Sequence, residues 1–505
     1  MTIRVRPAVP NYVDNSLPVI NSAWLNWMDQ KARESYSVLD IGPGIDPTGA
    51  TDSTTAFQAA LTAAGAASPI SNVIVPPGTY LLSSLSIPSG VSLTGYNKSS
   101  CTLLISTATG DFLTVNGSTT ALTISNLTIQ ANVTRTSGRT ILFKNSHNTR
   151  LREVSFYGIH FTTIELDGGA SQFEYFLDHL DWGTPGCNIG INISGATASV
   201  SDVFLDHVEI STCGEGLVIA NCAGVYAHQV SIFSCTDNGL LINPGNGQRV
   251  VDCFFDTCLS DTNANNGFMI NPSGTGFVDD IMFSKCWGSS NTNVNTAGFM
   301  IAGAGRASNI TFDNCRANNN NGYGYYVTGS GTNRFIDFIG CTASGNSQSV
   351  SNTKDGWVIG GTATDVKLVG CISGGLDEFA ANQRYGVQVG ASTDYVTVLG
   401  CNLRNNNTAA VLYSSTGTHN YIIGNHGYNP LNTANSIAVG ASPFSWTNTN
   451  PMPVTLIISG GTVSLVTLQS NQVAAASGVA ISVPRGATVI TTYSSTPNMN
   501  WYGID

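Results

Sequence analysis

Between Val203 and Asn425 the sequence returns again and again to a cysteine. HVEISTC ends at Cys213, HQVSIFSC at Cys235, VDCFFDTC at Cys258, DDIMFSKC at Cys286 and SNITFDNC at Cys315. RFIDFIGC, TDVKLVGC and DYVTVLGC then end at Cys341, Cys371 and Cys401, and HNYIIGN puts Asn425 in the cysteine's place. The steps are 22, 23, 28, 29, 26, 30, 30 and 24 residues. A second short segment follows the cysteine: GLVI (216–219), GLLI (239–242), GFMI (267–270 and 298–301), GYYV (324–327), GWVI (356–359) and GVQV (386–389). Segments of constant length separated by loops of variable length are the mark of a repeat architecture.

One repeat dictates the fold. Each segment is four to six residues with apolar side chains at alternate positions, so only one face turns inward. A single coil cannot bury that face. Stacking coils at ~4.8 Å lets each cover the next and completes the backbone ladder. A small, apolar, readily buried cysteine suits a tight interior corner, and Asn425 is expected to hydrogen-bond along the stack instead. The fold class is therefore all-β, a right-handed parallel β-helix.

Charged residues make up only 10% of the 505, while Gly (54), Asn, Ser and Thr abound, which suits β-coils with polar turns rather than helices. The net charge of −11 and pI near 5.0 argue against a nucleic-acid or anionic-membrane partner. No apolar run approaches ~20 residues, so no membrane insertion is expected. The first residues, MTIRVRPAVPNYVDNSLP, lack an apolar signal core. The cysteine spacing predicts buried free thiols, as in a chain folded in a reducing cytoplasm. Cys222 and Cys253 fall outside the ladder.

Residues 1–35 read as a separate head. After Pro7, Pro10 and Pro18, SAWLNWMDQKARE (22–34) predicts a short helix capped by Ser22, with Trp24, Leu25, Trp27 and Met28 as its apolar stripe. It either packs on the solenoid end or contacts a larger assembly. VLDIGPGIDPTGATDSTTAFQAALTAAGAA (38–67) and NVIVPPGTYLLSSLSIPSGVSLTGY (72–96) then give strand, turn, a helix from about Asp52 to Ala64, and strand. Such a helix can plug the open end of a coil stack.

That order of motifs resembles the opening of the pectate-lyase-like β-helix proteins, bacteriophage tailspikes especially. It departs from the usual pattern by the enlarged turn GPGIDPTG. The resemblance covers residues 36–430 and implies the fold more than a reaction, because the superfamily includes lyases, hydrolases and inert binders. Early coils are expected at 122–129, 149–156 and 174–182. Residues 441–505 read as short antiparallel strands, similar to the small β-sandwich that ends many tailspikes and helps hold three chains together. The expected organisation is a head at 1–35, a helix-capped β-helix at 36–440 and a C-terminal β-sandwich at 441–505.

In the post-cysteine segments Val218, Leu241, Met269, Met300, Tyr326 and Val358 fall on the outward position, with Gln388 ending the run. A solvated sheet face would be polar there. An apolar stripe of that length suits a homotrimer axis or a covering loop.

Candidate chemistry lies on the other outward face. Two coils carry nearly one string, FLDHLDWG (176–183) and FLDHVEIS (204–211). Six residues before the cysteine position stand Glu153, His179, His207, Gln229, Asp252 and Asp280. Four before stand Asp181, Glu209 and Phe254, and two before stand Phe233 and Asp256. The same position on adjacent coils is ~5 Å apart, so Asp181 and Glu209 suit the acid and the base or nucleophile of a glycosidase. Asp252 and Asp256 are alternates, and His207 assists. His179, Glu153, Gln229, Phe233, Phe254, Asp280 and Trp287 are candidate sugar contacts, as are Glu215 and Asp237 in the post-cysteine stretches. Tyr323, Trp357 and Tyr385 are further stacking candidates.

The bland alternative is a solvated polar ladder. Asp252, Asp256 and Asp280 could instead hold calcium, although no dense acidic loop marks such a site. No metal ligand or cofactor is assigned. The resemblance implies a trimeric phage depolymerase, a virion component attached to the tail or baseplate by its N-terminal segment. It would cut a bacterial surface polysaccharide by hydrolysis. The rivals are a β-eliminating lyase, with His207 or His179 as base and Arg152 near the uronate, and a spike that binds glycan without cutting.

Overall fold

The structure is a computed structural model that describes residues 35–41, 44–67, 72–117, 121–168, 174–196, 198–376, 380–428 and 435–503. The expected helix at 22–34 lies outside them. The chain is a right-handed parallel β-helix with small antiparallel sheets near its C-terminus. It divides into two compact units, residues 1–231 and 232–505.

In the first unit the helix runs Thr54–Ala66, two residues later than the sequence suggests. It buries Phe57, Ala60, Leu61 and Ala64, with Phe57 edge-on to Tyr80 at 5.1 Å. Asp52 accepts a hydrogen bond from the Thr54 amide at 2.8 Å. The enlarged turn is organised by Asp46, whose carboxylate accepts from the amides of Thr48, Ala50 and Thr51. Hydrogen bonds from the Thr48 hydroxyl and amide, and then from Thr51, hold its pKa down at about 2. Strands Leu122–Ala131, Thr149–Tyr157, Tyr175–Trp182, Val200–Ser211 and Cys222–His228 then pair in parallel, each with the next.

In the second unit Arg249–Asp256, Phe277–Ser284, Arg306–Asp313, Thr332–Ile339 and Thr364–Val369 form the corresponding ladder. The cysteine corner is visible atom by atom. The thiols of Cys286, Cys315, Cys341, Cys371 and Cys401 donate to the carbonyls of Phe255, Phe283, Phe312, Phe338 and Leu368, each one coil back, at 3.2–3.6 Å. Asn425 takes over as expected: its Nδ2 donates to the Val398 carbonyl, and its Oδ1 accepts from the Cys401 amide, both at 2.9 Å. Beside this ladder, rings stack in register through Phe255, Phe283, Phe312 and Phe338 and through Phe268, Phe299, Tyr325 and Trp357.

In the coils of Cys258, Cys286 and Cys315 three residues adopt left-handed backbone, at positions −6, −1 and +4 from the cysteine. In successive coils they are Asp252, Thr257 and Thr262; Asp280, Lys285 and Ser290; and Asn309, Asn314 and Asn319. Each makes one corner of the coil. Glycine supplies the −1 corner at Gly340, Gly370 and Gly400 (φ 60–64°), where a side chain would otherwise carry the strain.

Three expectations need correcting. Cys213 is not a free thiol but is bonded to Cys187 across adjacent coils, because their strands bring the two Cα atoms to 4.3 Å. The other ten cysteines are in no disulfide and are buried. Trp357 is also not a surface platform. It is wholly buried, its ring stacked on Tyr325 at 4.8 Å. Val358, counted in the outward stripe, is buried as well, whereas Leu241, Met269, Met300 and Tyr326 stand in register and half-exposed. At the C-terminus, four-stranded antiparallel sheets enclose Val454, Leu456, Ile458, Val466, Val483 and Val489.

Candidate functional site

The left-handed corner reshapes the face on which the candidate residues stand. Successive strand residues ordinarily point to opposite sides. His179 (φ 52°) and His207 (φ 51°) break that alternation, so each comes to the same side as the aspartate before it. Asp178 and Asp206 are neighbours on adjacent rungs, and each carries its own histidine: His179 Nδ1 bonds Asp178, and His207 Nδ1 lies 3.0 Å from Asp206 Oδ1. The imidazoles of His179 and His207 stack at 4.9 Å. One rung on, His228 reaches the same Asp206 oxygen at 2.8 Å, and its ring meets His207 edge-on at 5.9 Å.

Two positions before Asp178, Asp206 and His228, the rings of Phe176, Phe204 and Tyr226 form a continuous outward stack, with centroids 5.0 Å apart and rings 9° and 14° from parallel. The Arg150 guanidinium lies over Phe176 at 4.8 Å, and Arg152 pairs with Asp178 at 3.0 Å. A groove of about 390 Å³ runs between these side chains, lined by Arg150, Arg152, Phe176, Asp178, Phe204 and Asp206. Partial burial raises the Asp206 pKa, but hydrogen bonds from His228 and His207 outweigh it and leave it below the ordinary value.

Beyond the corner, Asp181 and Glu209 occupy adjacent rungs as the sequence register requires. Lys98, from a turn 83 residues earlier, bonds Asp181 at 2.8 Å and approaches Glu153 at 3.8 Å. Ser155 donates to Asp181 at 2.9 Å. The Lys98 pKa is raised, chiefly by its bond to Asp181. Glu209 is exposed and makes no hydrogen bond or ion pair among the described residues. Gln229 holds the corner next to His228 (φ 52°). Glu215 begins a strand of the opposite sheet, paired with Ile189.

In the second unit Asp252 and Asp280 are corner residues of adjacent coils. The Asp280 pKa is raised by partial burial, then by the charge of Asp252 and a hydrogen bond shared with it. Asp256 lies on the rung of Ser284. Phe233 is half-buried, whereas Phe254 and Trp287 are exposed. Asp237 accepts from Asn238 and Asn265 and so belongs to a polar ladder. The three aspartates weighed for calcium do not converge. Among the described residues one trio of possible ligands does, Asp206, His207 and His228.

In the repeated string FLDH the cysteine register points to the histidines and misses the Phe176/Phe204 and Asp178/Asp206 pairs beside them. His228 and Tyr226 could have been found by extending that string one coil. Lys98 left no signal in the repeat.

The chain matches the family "Rhamnogalacturonase A/epimerase, pectate lyase-like" over residues 36–241 and "Right handed beta helix region" over residues 186–372. No curated protein sequence matches it. Among solved structures it is similar to the Dettilon tailspike protein, with TM-score 0.57 and 11% identity, covering 97% of this chain and 96% of that one. It is also similar to the A-module of mannuronan C-5 epimerase AlgE6 of Azotobacter vinelandii (TM-score 0.49, 17% identity, 78% of this chain and 100% of that one). Tailspike protein 3 of bacteriophage CBA120 has TM-score 0.43 and 13% identity, covering 89% and 70%. Its coils are those of a right-handed parallel β-helix, and over residues 36–241 the chain is similar to the pectate-lyase-like family.

Proposed function

We propose that this chain is a bacteriophage tailspike that binds a bacterial surface polysaccharide and cleaves it by endo-glycosidic hydrolysis. The observation that carries the reading is the aromatic stack Phe176–Phe204–Tyr226 beside a groove lined by Asp178 and Asp206, with a second pair of carboxylates, Asp181 and Glu209, on the same two strands beyond the corner. Flat, half-exposed rings in register suit the apolar faces of successive sugars, and flanking carboxylates suit their hydroxyls. Asp181, bonded by Lys98 and Ser155, is the nucleophile or base. Glu209, exposed one rung away, is the proton donor. Their spacing of ~5 Å between rungs corresponds to a retaining mechanism.

A β-eliminating lyase is the second reading. Arg150 and Arg152 at the groove favour it, since a uronate carboxylate needs neutralising before its neighbouring proton is removed. The half-exposed register of Leu241, Met269, Met300 and Tyr326 supports a homotrimer. In this reading residues 1–35 attach the spike to the virion, residues 36–440 carry the glycan site, and residues 441–505 hold three chains together.

The test is a digest of purified host capsule or lipopolysaccharide, followed for new reducing ends and for the ultraviolet absorbance of an unsaturated uronate. Reducing ends alone support hydrolysis, and both signals make the protein a lyase. Binding with neither signal leaves an adhesin and removes the catalytic proposal.

A further inference from the structure

We propose that Asp206, His207 and His228 form a binding site for a divalent transition metal of the Zn²⁺ type, opening onto the groove. A carboxylate oxygen and two imidazole nitrogens lie within 4.8 Å of one another, and both nitrogens stand 2.8–3.0 Å from the same oxygen. Donors about 2.0–2.1 Å from a tetrahedral Zn²⁺ are ~3.3 Å apart, so the two oxygen–nitrogen distances need to open by only a few tenths of an ångström, and the two nitrogens, no more than 4.8 Å apart, have to settle to the same spacing.

The scaffold is set before any ion arrives. The left-handed corner at His207 turns two consecutive residues to one side, and parallel register puts His228 on the rung of Asp206. Stacking on His179 fixes the plane of the His207 ring. Two imidazoles and one carboxylate select borderline ions of the zinc, cobalt and nickel group over calcium or magnesium, which prefer all-oxygen shells. All three side chains are close to half-exposed, which leaves room for a further ligand from solvent or from an oxygen of bound glycan. Three protein ligands with an open position are the pattern of a reactive rather than a structural site. The sequence hid the trio because two ligands are adjacent in a strand, where alternation would place them back to back.

This inference goes beyond the glycan reading, and metal binding alone tests it. The full chain, stripped with chelator, is titrated with Co²⁺ followed by visible absorption and with Zn²⁺ followed by calorimetry. The expected result is one ion per chain, a low-symmetry Co²⁺ spectrum, and displacement of Co²⁺ by Zn²⁺. His228→Ala and His207→Asn, the latter keeping a residue that tolerates a left-handed corner, should each weaken Zn²⁺ binding about tenfold or more. His419→Ala should not, because His419 and Asp394 make a similar 2.8 Å pair without a second imidazole. Circular dichroism and melting establish that each variant is folded. Binding absent in the unaltered chain, or surviving in folded His207→Asn and His228→Ala, overturns the proposal.

Discussion

Replacing Phe204 by alanine separates a glycan platform from a decorative stack. Phe204 is the middle ring, facing Phe176 on one side and Tyr226 on the other at 5.0 Å each. Two stacked contacts are worth about 0.5–1.5 kcal/mol each, so the folded chain should lose about 1–3 kcal/mol of stability. Glycan affinity is a separate quantity. A half-buried phenyl ring leaves ~60 Å² of apolar face for a sugar to cover, and at about 25 cal/mol per Å² that is ~1.5 kcal/mol, or ~10-fold in Kd. Calorimetric binding of purified oligosaccharide to the Glu209→Gln protein, with and without Phe204→Ala, measures it. Phe204→Tyr should bind within about twofold of Phe204, since the flat face is kept. A folded Phe204→Ala protein whose affinity changes less than about twofold would refute the platform and move the binding site elsewhere.

Glu209→Gln and Asp181→Asn should each lower the rate of reducing-end release by about 10²-fold or more while the protein still binds glycan; a folded variant with unchanged rate removes that residue from the mechanism. His160 is almost wholly buried, bonded to Thr140 and to the Tyr157 carbonyl, and burial pushes its pKa from 6.5 down to about 4. The unfolded chain therefore takes up this proton first. The stability that neutral His160 contributes is complete above about pH 6.5 and is lost as pH falls toward about 4. Between about pH 7.5 and 4.5 the unaltered protein should lose about 2.5 kcal/mol more than His160→Gln in urea unfolding, and parallel losses would contradict the assignment. Asn425→Ala orphans the Cys401 amide and the Val398 carbonyl together and should cost about 2–4 kcal/mol. Asn425→Cys restores a donor to Val398 and should recover part of that, which the same unfolding measurement reads.

The repeat was legible because it is a packing constraint. A cysteine at each interior corner and an apolar residue at each second position are demanded wherever coils stack. Register, face and the substitution of Asn425 therefore followed from spacing alone, as did the placing of Asp181 and Glu209 on neighbouring rungs. Trp357 is legible too, since alternation sets residues 357 and 358 on opposite sides of the strand and turns 357 toward the core. The corner residues were not legible. Whether Asp206 and His207 face opposite sides or the same side depends on the sign of one φ angle, which coil closure sets and side-chain identity only biases. The same holds for Lys98 beside Asp181 and for Cys187 beside Cys213. Away from the corners, short-range periodicity fixes which side of a strand a residue occupies, but tertiary closure alone decides which way a corner residue turns and which distant side chains share that space, and the candidate chemistry lies there.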